Sequence, residues 1–521
     1  MMDNTAIAPE LPQRSRWLPT IGLTLWLIFM LGLSLSQWRL VMINADGDPS
    51  LHWRLGQWMI EHRSVIHADV FSHTRPGRTV VTMEWLTEVA FAAAGDALGW
   101  NGIVLLAATF IATSLWMLYR QLLSEGNDLL LSTGLTLLAA MTCSMHWLAR
   151  PHVISFAFLT FWAWQLRAFE QGRLPPRRLF VLLVPLTALW VNLHAGFLTG
   201  LMLIGVYFVG AAAELRDHDI GQRMIARRRM ATLALLGASC LVASLVNPNG
   251  WRLHAYILDF LQHPKLVSLV NEFRSPDFHS NGTRGFLLML FVLAFTLITA
   301  RSRLSRTEIL LVGWAGCLAL RWVRNMPVFA IVATPILAQH LTLWLRGRCD
   351  SVLLTLYRKV CENVSQIDKR ADGRWLAGIA SVMLLLVVAK PRVVGGEPIL
   401  ATELLTNRFP VAAVRFLQQN PSPVHGEMFN NYGWGGYLML ALPERKIFVD
   451  GRNDFYGPEL IQDFDTVNRV HPGWEDVLRK YKVDWTVLPR AHPLNELLAL
   501  RKNWSLSYTD DVTAVYSCRP E

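Results

Sequence analysis

Charged residues make up only 17% of this 521-residue chain, and there are just six cysteines. Cys143, Cys240 and Cys317 fall inside apolar runs, and Cys349 and Cys361 fall in a polar link. Only Cys518 lies near the C-terminus, so no disulfide framework is expected. Residues 430–437, although rich in glycine, lack the spacing of a dinucleotide or P-loop fingerprint. No internal repeat or low-complexity tract is evident, which argues against solenoids and repeat-built transporters. No small-residue cleavage site follows the first apolar run, so that run is expected to stay as a signal anchor.

What the chain has in abundance is apolar sequence, with 52% hydrophobic residues. Runs close to the length that crosses a hydrocarbon layer of about 30 Å recur through the first three quarters of the chain. About eleven spans are expected, near 18–40, 101–120, 129–147, 153–168, 179–193, 196–214, 230–246, 285–300, 307–320, 326–345 and 375–390. The net charge of +10 is gathered in short links, such as Arg173, Arg177 and Arg178, or Arg227 to Arg229, or Arg301, Arg303 and Arg306. That distribution is a topology signal and not a nucleic-acid patch. It sets the N-terminus on the cytoplasmic side of the cytoplasmic membrane. The stretch 84–98 carries Glu84, Glu88 and Asp96, so it is expected to lie at the interface instead of spanning.

The domain plan is therefore a cytoplasmic tail (1–17), a polytopic helical domain (18–390) with a long first outer loop (41–100), and a small extracytoplasmic α/β domain (398–521). In the last, Lys446–Val449, Trp485–Leu488 and Ala514–Tyr516 have strand character. Stretches 410–419, 474–482 and 494–501 have helical periodicity. The fold class is mainly α.

With that topology, acids, imidazoles and amides collect on the outer side, and ionisable groups at such depth point to a functional site. Asp46 and Asp48 flank a glycine just past the first span. Such a pair can act as base and helper, or share a hard divalent cation such as Mg or Mn. The plainer alternative for Asp48 is a helix cap ahead of Pro49. Arg150, before Pro151 and His152, could grip a phosphate through its guanidinium fork. Arg321 and Arg324 run against the positive-inside bias and fit an anionic lipid phosphate. Asn192 and His194 lie in a break between apolar runs, where irregular backbone must line a cavity or be buried in protein. His52 and Glu84 fall in the first loop, and Asp450 and Arg452 follow an expected strand, where α/β folds often hold ligands. Trp53, Trp85 and Trp434 could stack on sugar rings.

The acidic motif after the first helix, the long outer loop and the C-terminal soluble domain together resemble the GT-C class of membrane glycosyltransferases. The resemblance covers nearly the whole chain in architecture, but its sequence motif is short. It implies transfer of a sugar from a polyprenyl-phosphate donor to a lipid, glycan or protein acceptor on the extracytoplasmic face. It also implies that Asp46 is base or metal ligand with Asp48 as helper, and that Arg321, Arg324 and Arg150 hold the donor phosphate. His52, Glu84, His152, Asn192, His194, Asp450 and Arg452 are then candidates for substrate contact. The competing readings are a lipid-linked glycan polymerase or ligase, a transporter, and a non-catalytic protein of envelope assembly.

Overall fold

The structure is a computed structural model. It describes residues 14–216, 219–262, 271–299, 304–347, 351–389, 393–394, 397–398, 400, 402–420 and 424–518. Arg301, Arg303 and Cys349 lie outside these.

Each of the eleven expected apolar segments is helical. The first is α1 (Ile21–Leu35), capped by the Thr20 hydroxyl, and α2 (Trp38–Asn44), set at 63° to it. Next come α3 (Asp48–His62), α4 (Trp85–Leu98), α5 (Trp100–Ser124) and α6 (Leu129–Cys143). They lead to α7 (His152–Glu170), α8 (Pro176–Leu193), α9 (Phe197–Glu214), α10 (Ile220–Ala243) and the short α11 (Trp251–Gln262). The series closes with α12 (Arg284–Thr299), α13 (Arg306–Arg321), α14 (Met326–Arg346), α15 (Val352–Arg370) and α16 (Arg374–Ala389).

Among the described residues six helices are long and apolar enough to cross a membrane, or seven when the bent α1–α2 pair counts as one. The shortfall from eleven has a physical basis. Helices α13 and α16 have 16 residues each, which reach only about 24 Å. Helix α10 opens on arginine-rich turns. Helix α7 has 19 residues but ends on Arg167 and Glu170, while α4, which was not among the eleven, packs on α3.

One end of the bundle gathers ion pairs from the arginine-rich links. Arg167 meets Glu125, Arg229 meets Glu214 and Arg346 meets Asp128. The other end carries the C-terminal domain. There β1 (Glu427–Asn430) runs parallel to β2 (Val483–Pro489), while β4 (Thr513–Cys518) pairs antiparallel with β2 and with β3 (Trp504–Thr509). The sheet order is β1-β2-β4-β3. The helical stretches expected at 410–419, 474–482 and 494–501 are present as Val411–Gln419, Trp474–Lys480 and Pro493–Ala499.

One expected strand is absent. Lys446–Val449 does not join the sheet, because its backbone groups are satisfied elsewhere. Ile447 exchanges hydrogen bonds with the first loop at Phe71 and His73. The Asn430 side chain accepts from Phe448 N–H at 2.8 Å. The first loop is therefore stitched to the domain, and one continuous apolar core runs through both.

Candidate active site

Helix α3 begins at Asp48 with Pro49 in its first turn, and Gly47 is the residue before it. Asp48 therefore does not act as the expected cap. Its own N–H donates to Asp46 Oδ1 at 3.0 Å, which leaves the Asp48 carboxylate to face away from the helix end. Both acids turn to Arg150. Its Nη2 lies 2.5 Å from Asp46 Oδ2 and 2.9 Å from Asp48 Oδ2, and its Nη1 lies 2.6 Å from Glu272 Oε1. The link carrying Arg150 is anchored by Ala149 N–H donating to the Met42 carbonyl of α2. One guanidinium thus balances three carboxylates.

A second polar group lies one turn along α3. His52 Nδ1 is 3.3 Å from Glu88 Oε1, and its Nε2 is 3.9 Å from Glu84 Oε2. The approach of α4 that makes this possible depends on Gly56, where any Cβ would overlap the Glu88 carbonyl. His194 Nε2 lies 3.4 Å from Glu84 Oε1. Its Nδ1 accepts from Gly196 N–H at 2.9 Å, so the ring proton sits on Nε2 and points at Glu84. Glu84 and Glu88 are four residues apart on one helical face, a signal legible in the sequence. Their partner His52 was not, because that pairing is tertiary.

These groups line one cavity of about 200 Å³ between the bundle and the domain. Asp48, His52, Glu84, Glu88, Arg150, His152, His194, Glu272, Arg324, Arg452 and Asp454 all contribute to its wall. Arg324 lies in the turn before α14 with its guanidinium 4.6 Å over the Phe273 ring. His152 Nε2 donates to the His146 carbonyl at 2.7 Å. From the domain, Arg452 pins Asp69 at 3.3 Å and Asp450 at 2.6 Å. Tyr256 of α11 donates to Asp454 Oδ2 at 2.9 Å.

Several expected residues lie elsewhere. Arg321 is exposed, stacked over Trp322 at 4.9 Å, and is not in the cavity wall. Asn192 spends its amide on the Ala188 and Val246 carbonyls and accepts from Trp85 Nε1. Asp450 is fully buried and holds Arg452 and the Tyr456 hydroxyl. Asp46 lies behind Arg150. Trp53, Trp85 and Trp434 donate their indole N–H groups to Asp96, Asn192 and the Arg408 carbonyl, and none lines the cavity. Glu88 and Tyr256 were not singled out as site residues in the sequence.

Electrostatics divide the cavity. At one end, burial alone would raise the Glu272 carboxyl, but Arg150 and Arg324 outweigh it and hold it at about 2. At the other, burial, with Glu88 and Asp454 close by, pushes Glu84 up to about 7 against the pull of His52. Burial raises Asp48, with repulsion from Asp46 added, although Arg150 pulls it down. Burial lowers His52, but the Glu88 hydrogen bond and the Glu84 charge more than reverse this. Burial, helped by His152, drives His194 well below its ordinary value, consistent with a neutral ring.

The expectation of a divalent cation at Asp46 and Asp48 does not fit this arrangement, since a guanidinium already sits between them. Among the described residues, the group whose ligand atoms converge, all within 4.8 Å of one another, is His52, Glu84 and Glu88.

No family model and no curated protein matches the sequence. The fold does have solved counterparts. The oligosaccharyltransferase AglB of Archaeoglobus fulgidus, in complex with an inhibitory peptide and a dolichol-phosphate, superposes with a TM-score of 0.54 at 13% identity, covering 90% of this chain and 69% of that one. The oligosaccharyltransferase of the same organism, tethered to an acceptor peptide, gives 0.53 at 13% identity, covering 90% and 68%. ArnT of Cupriavidus metallidurans in the apo state gives 0.50 at 14% identity, covering 95% and 98%. The chain has the GT-C fold. It is an integral membrane protein whose cavity lies where the helical bundle meets the C-terminal domain.

Proposed function

We propose that the chain is a membrane glycosyltransferase that moves a sugar from a polyprenyl-phosphate donor to a lipid, glycan or protein acceptor. It would act in the cytoplasmic membrane, with the N-terminus inside and the C-terminal domain outside, as the arginine links require. The observation that carries this reading is the divided cavity, with Arg150, Arg324 and the Arg150-paired Asp48 toward one end and Glu84 and Asp454 toward the other. AglB, which shares the fold, was captured with a dolichol-phosphate, a ligand of the same chemistry as the proposed donor.

A polyprenyl chain is too apolar to leave the bilayer, so its phosphate must be met by cations at the bundle end. Arg324 has no carboxylate within ion-pair distance among the described residues, so its charge is available to the donor phosphate. Arg150 presents charge already shared among three acids. When the acceptor hydroxyl or amine attacks the sugar carbon, its proton passes to a carboxylate and the bond to phosphate breaks. The leaving phosphate takes the electron pair, and its charge is stabilised by Arg324. Asp48 is the better base of the first pair. It lines the cavity, and burial raises its carboxyl above the ordinary value, whereas Asp46 is clamped behind Arg150. His194 and His152 then position the acceptor.

The test is mass spectrometry of lipid-linked sugars in cells lacking the chain. A polyprenyl-phosphate sugar should accumulate and fall again on complementation with the wild type but not with Asp48→Asn. An unchanged lipid profile rejects the proposal.

A further inference from the structure

Glu88 is 5% exposed, lines the cavity, and its Oε2 has no hydrogen-bond partner. A buried carboxylate oxygen left in that state keeps its full desolvation cost. Its only charged neighbour within ion-pair distance among the described residues is His52, which is also 3.9 Å from Glu84. Arg150 cannot help, because its donors are taken by Asp46, Asp48 and Glu272. One buried and one half-buried carboxylate thus flank the His52 imidazole on a cavity wall. That is a donor set short of positive charge.

We propose that His52, Glu84 and Glu88 hold a divalent cation of the zinc or manganese type, open to the cavity on its remaining side. Ligand atoms around such an ion, with bonds of about 2.0–2.2 Å, stand roughly 3.4 Å apart in a tetrahedral set. The three groups already lie within 4.8 Å, so a side-chain rotation at Glu84 closes the set. One imidazole with two carboxylates suits a borderline transition ion better than calcium, which takes oxygen alone. The neighbours are arranged for the same purpose. His194, its Nδ1 engaged by Gly196 N–H and by the Ser155 hydroxyl at 2.7 Å, directs its Nε2–H at Glu84 Oε1. That orients the carboxylate and leaves Glu84 Oε2 toward His52. Three protein ligands and an open position are the layout of a reactive ion, not a structural one.

The site makes a claim separate from glycosyl transfer, since binding is measured without turnover. Full-length protein in lipid nanodiscs would be equilibrated with Zn²⁺, freed of excess ion and analysed for bound zinc. Wild type and Asp46→Asn should each retain about one ion per chain, while Glu88→Gln and His52→Ala bind at least tenfold more weakly. Loss in Asp46→Asn with retention in Glu88→Gln would place the ion at the first-loop acids and overturn the proposal, as would no binding by the wild type. To avoid reliance on variants that fold poorly, wild type loaded with Mn²⁺ can be examined by electron spin-echo spectroscopy. One directly bound imidazole nitrogen is expected. Its absence overturns the assignment, because Asp46, Asp48 and Glu272 supply none.

Discussion

Gly436 of the C-terminal domain rests directly on Gly47 of the first loop, so closely that a Cβ at Gly436 would stand 2.5 Å from the Gly47 carbonyl oxygen. Gly47 in turn has no room for a side chain against Gly433. The acidic motif and the glycine run are therefore two halves of one contact. Gly436→Ala should destabilise the protein by roughly 1–3 kcal/mol, the usual penalty of overpacking against backbone. It should also lower turnover, because Asp48 follows Gly47. Thermal unfolding in detergent together with a transfer assay checks both, and unchanged values in both would mean that the contact relaxes freely.

Arg321 and Arg324 provide a contrast. Arg324 reaches the cavity and Arg321 does not. Arg324→Ala should raise the KM for the polyprenyl donor and depress kcat, by a factor of about 10² or more if it meets the developing phosphate charge. Arg321→Ala should behave as wild type. Equal losses in both would show that their role is generic attraction to anionic lipid.

Arg150 is expected to matter first for stability. Removing one partner of a buried ion network strands the others, at about 3–5 kcal/mol for a fully buried pair. The side chains here retain 18–29% exposure, so Arg150→Met should cost less than that upper range. The double variant Arg150→Met with Asp46→Asn should recover part of the loss. Calorimetry or a thermal-shift series of the two variants measures the recovery, and none at all would mean that the network is not coupled.

Much of this layout was legible in the sequence, and what was not follows a pattern. The helices of the bundle, the change of character near residue 398 and the placement of acids and histidines at one end followed from hydropathy and arginine spacing. The roles within the site did not. Asp48 lines the cavity while Asp46 accepts its N–H across the turn at Gly47, a local detail that alternation of acid and glycine does not encode. Lys446–Val449 has strand composition, yet Phe71 and His73, nearly four hundred residues away in the chain, claim its backbone. Arg321 and Arg324 look equivalent until the turn between α13 and α14 points one inward. Period and composition mark faces of an element; which faces meet depends on close approaches such as that of Gly56 to Glu88.

Acid sensitivity isolates Glu272. Its carboxyl is held at about 2 in the folded protein, against an ordinary value of 4.5. A group with a depressed folded value lends stability in full above its unfolded value and loses it as the pH falls through the folded one. Between about pH 5 and pH 2 the contribution should therefore fade, with the linkage slope that a single carboxylate gives. The difference in melting temperature between wild type and Glu272→Gln should be greatest at neutral pH, narrow steadily below about pH 4.5 and approach zero near pH 2. Thermal unfolding of both proteins in matched buffers measures it. A difference that stays constant across that window would show that Glu272 does not draw its stabilising effect from Arg150 and Arg324.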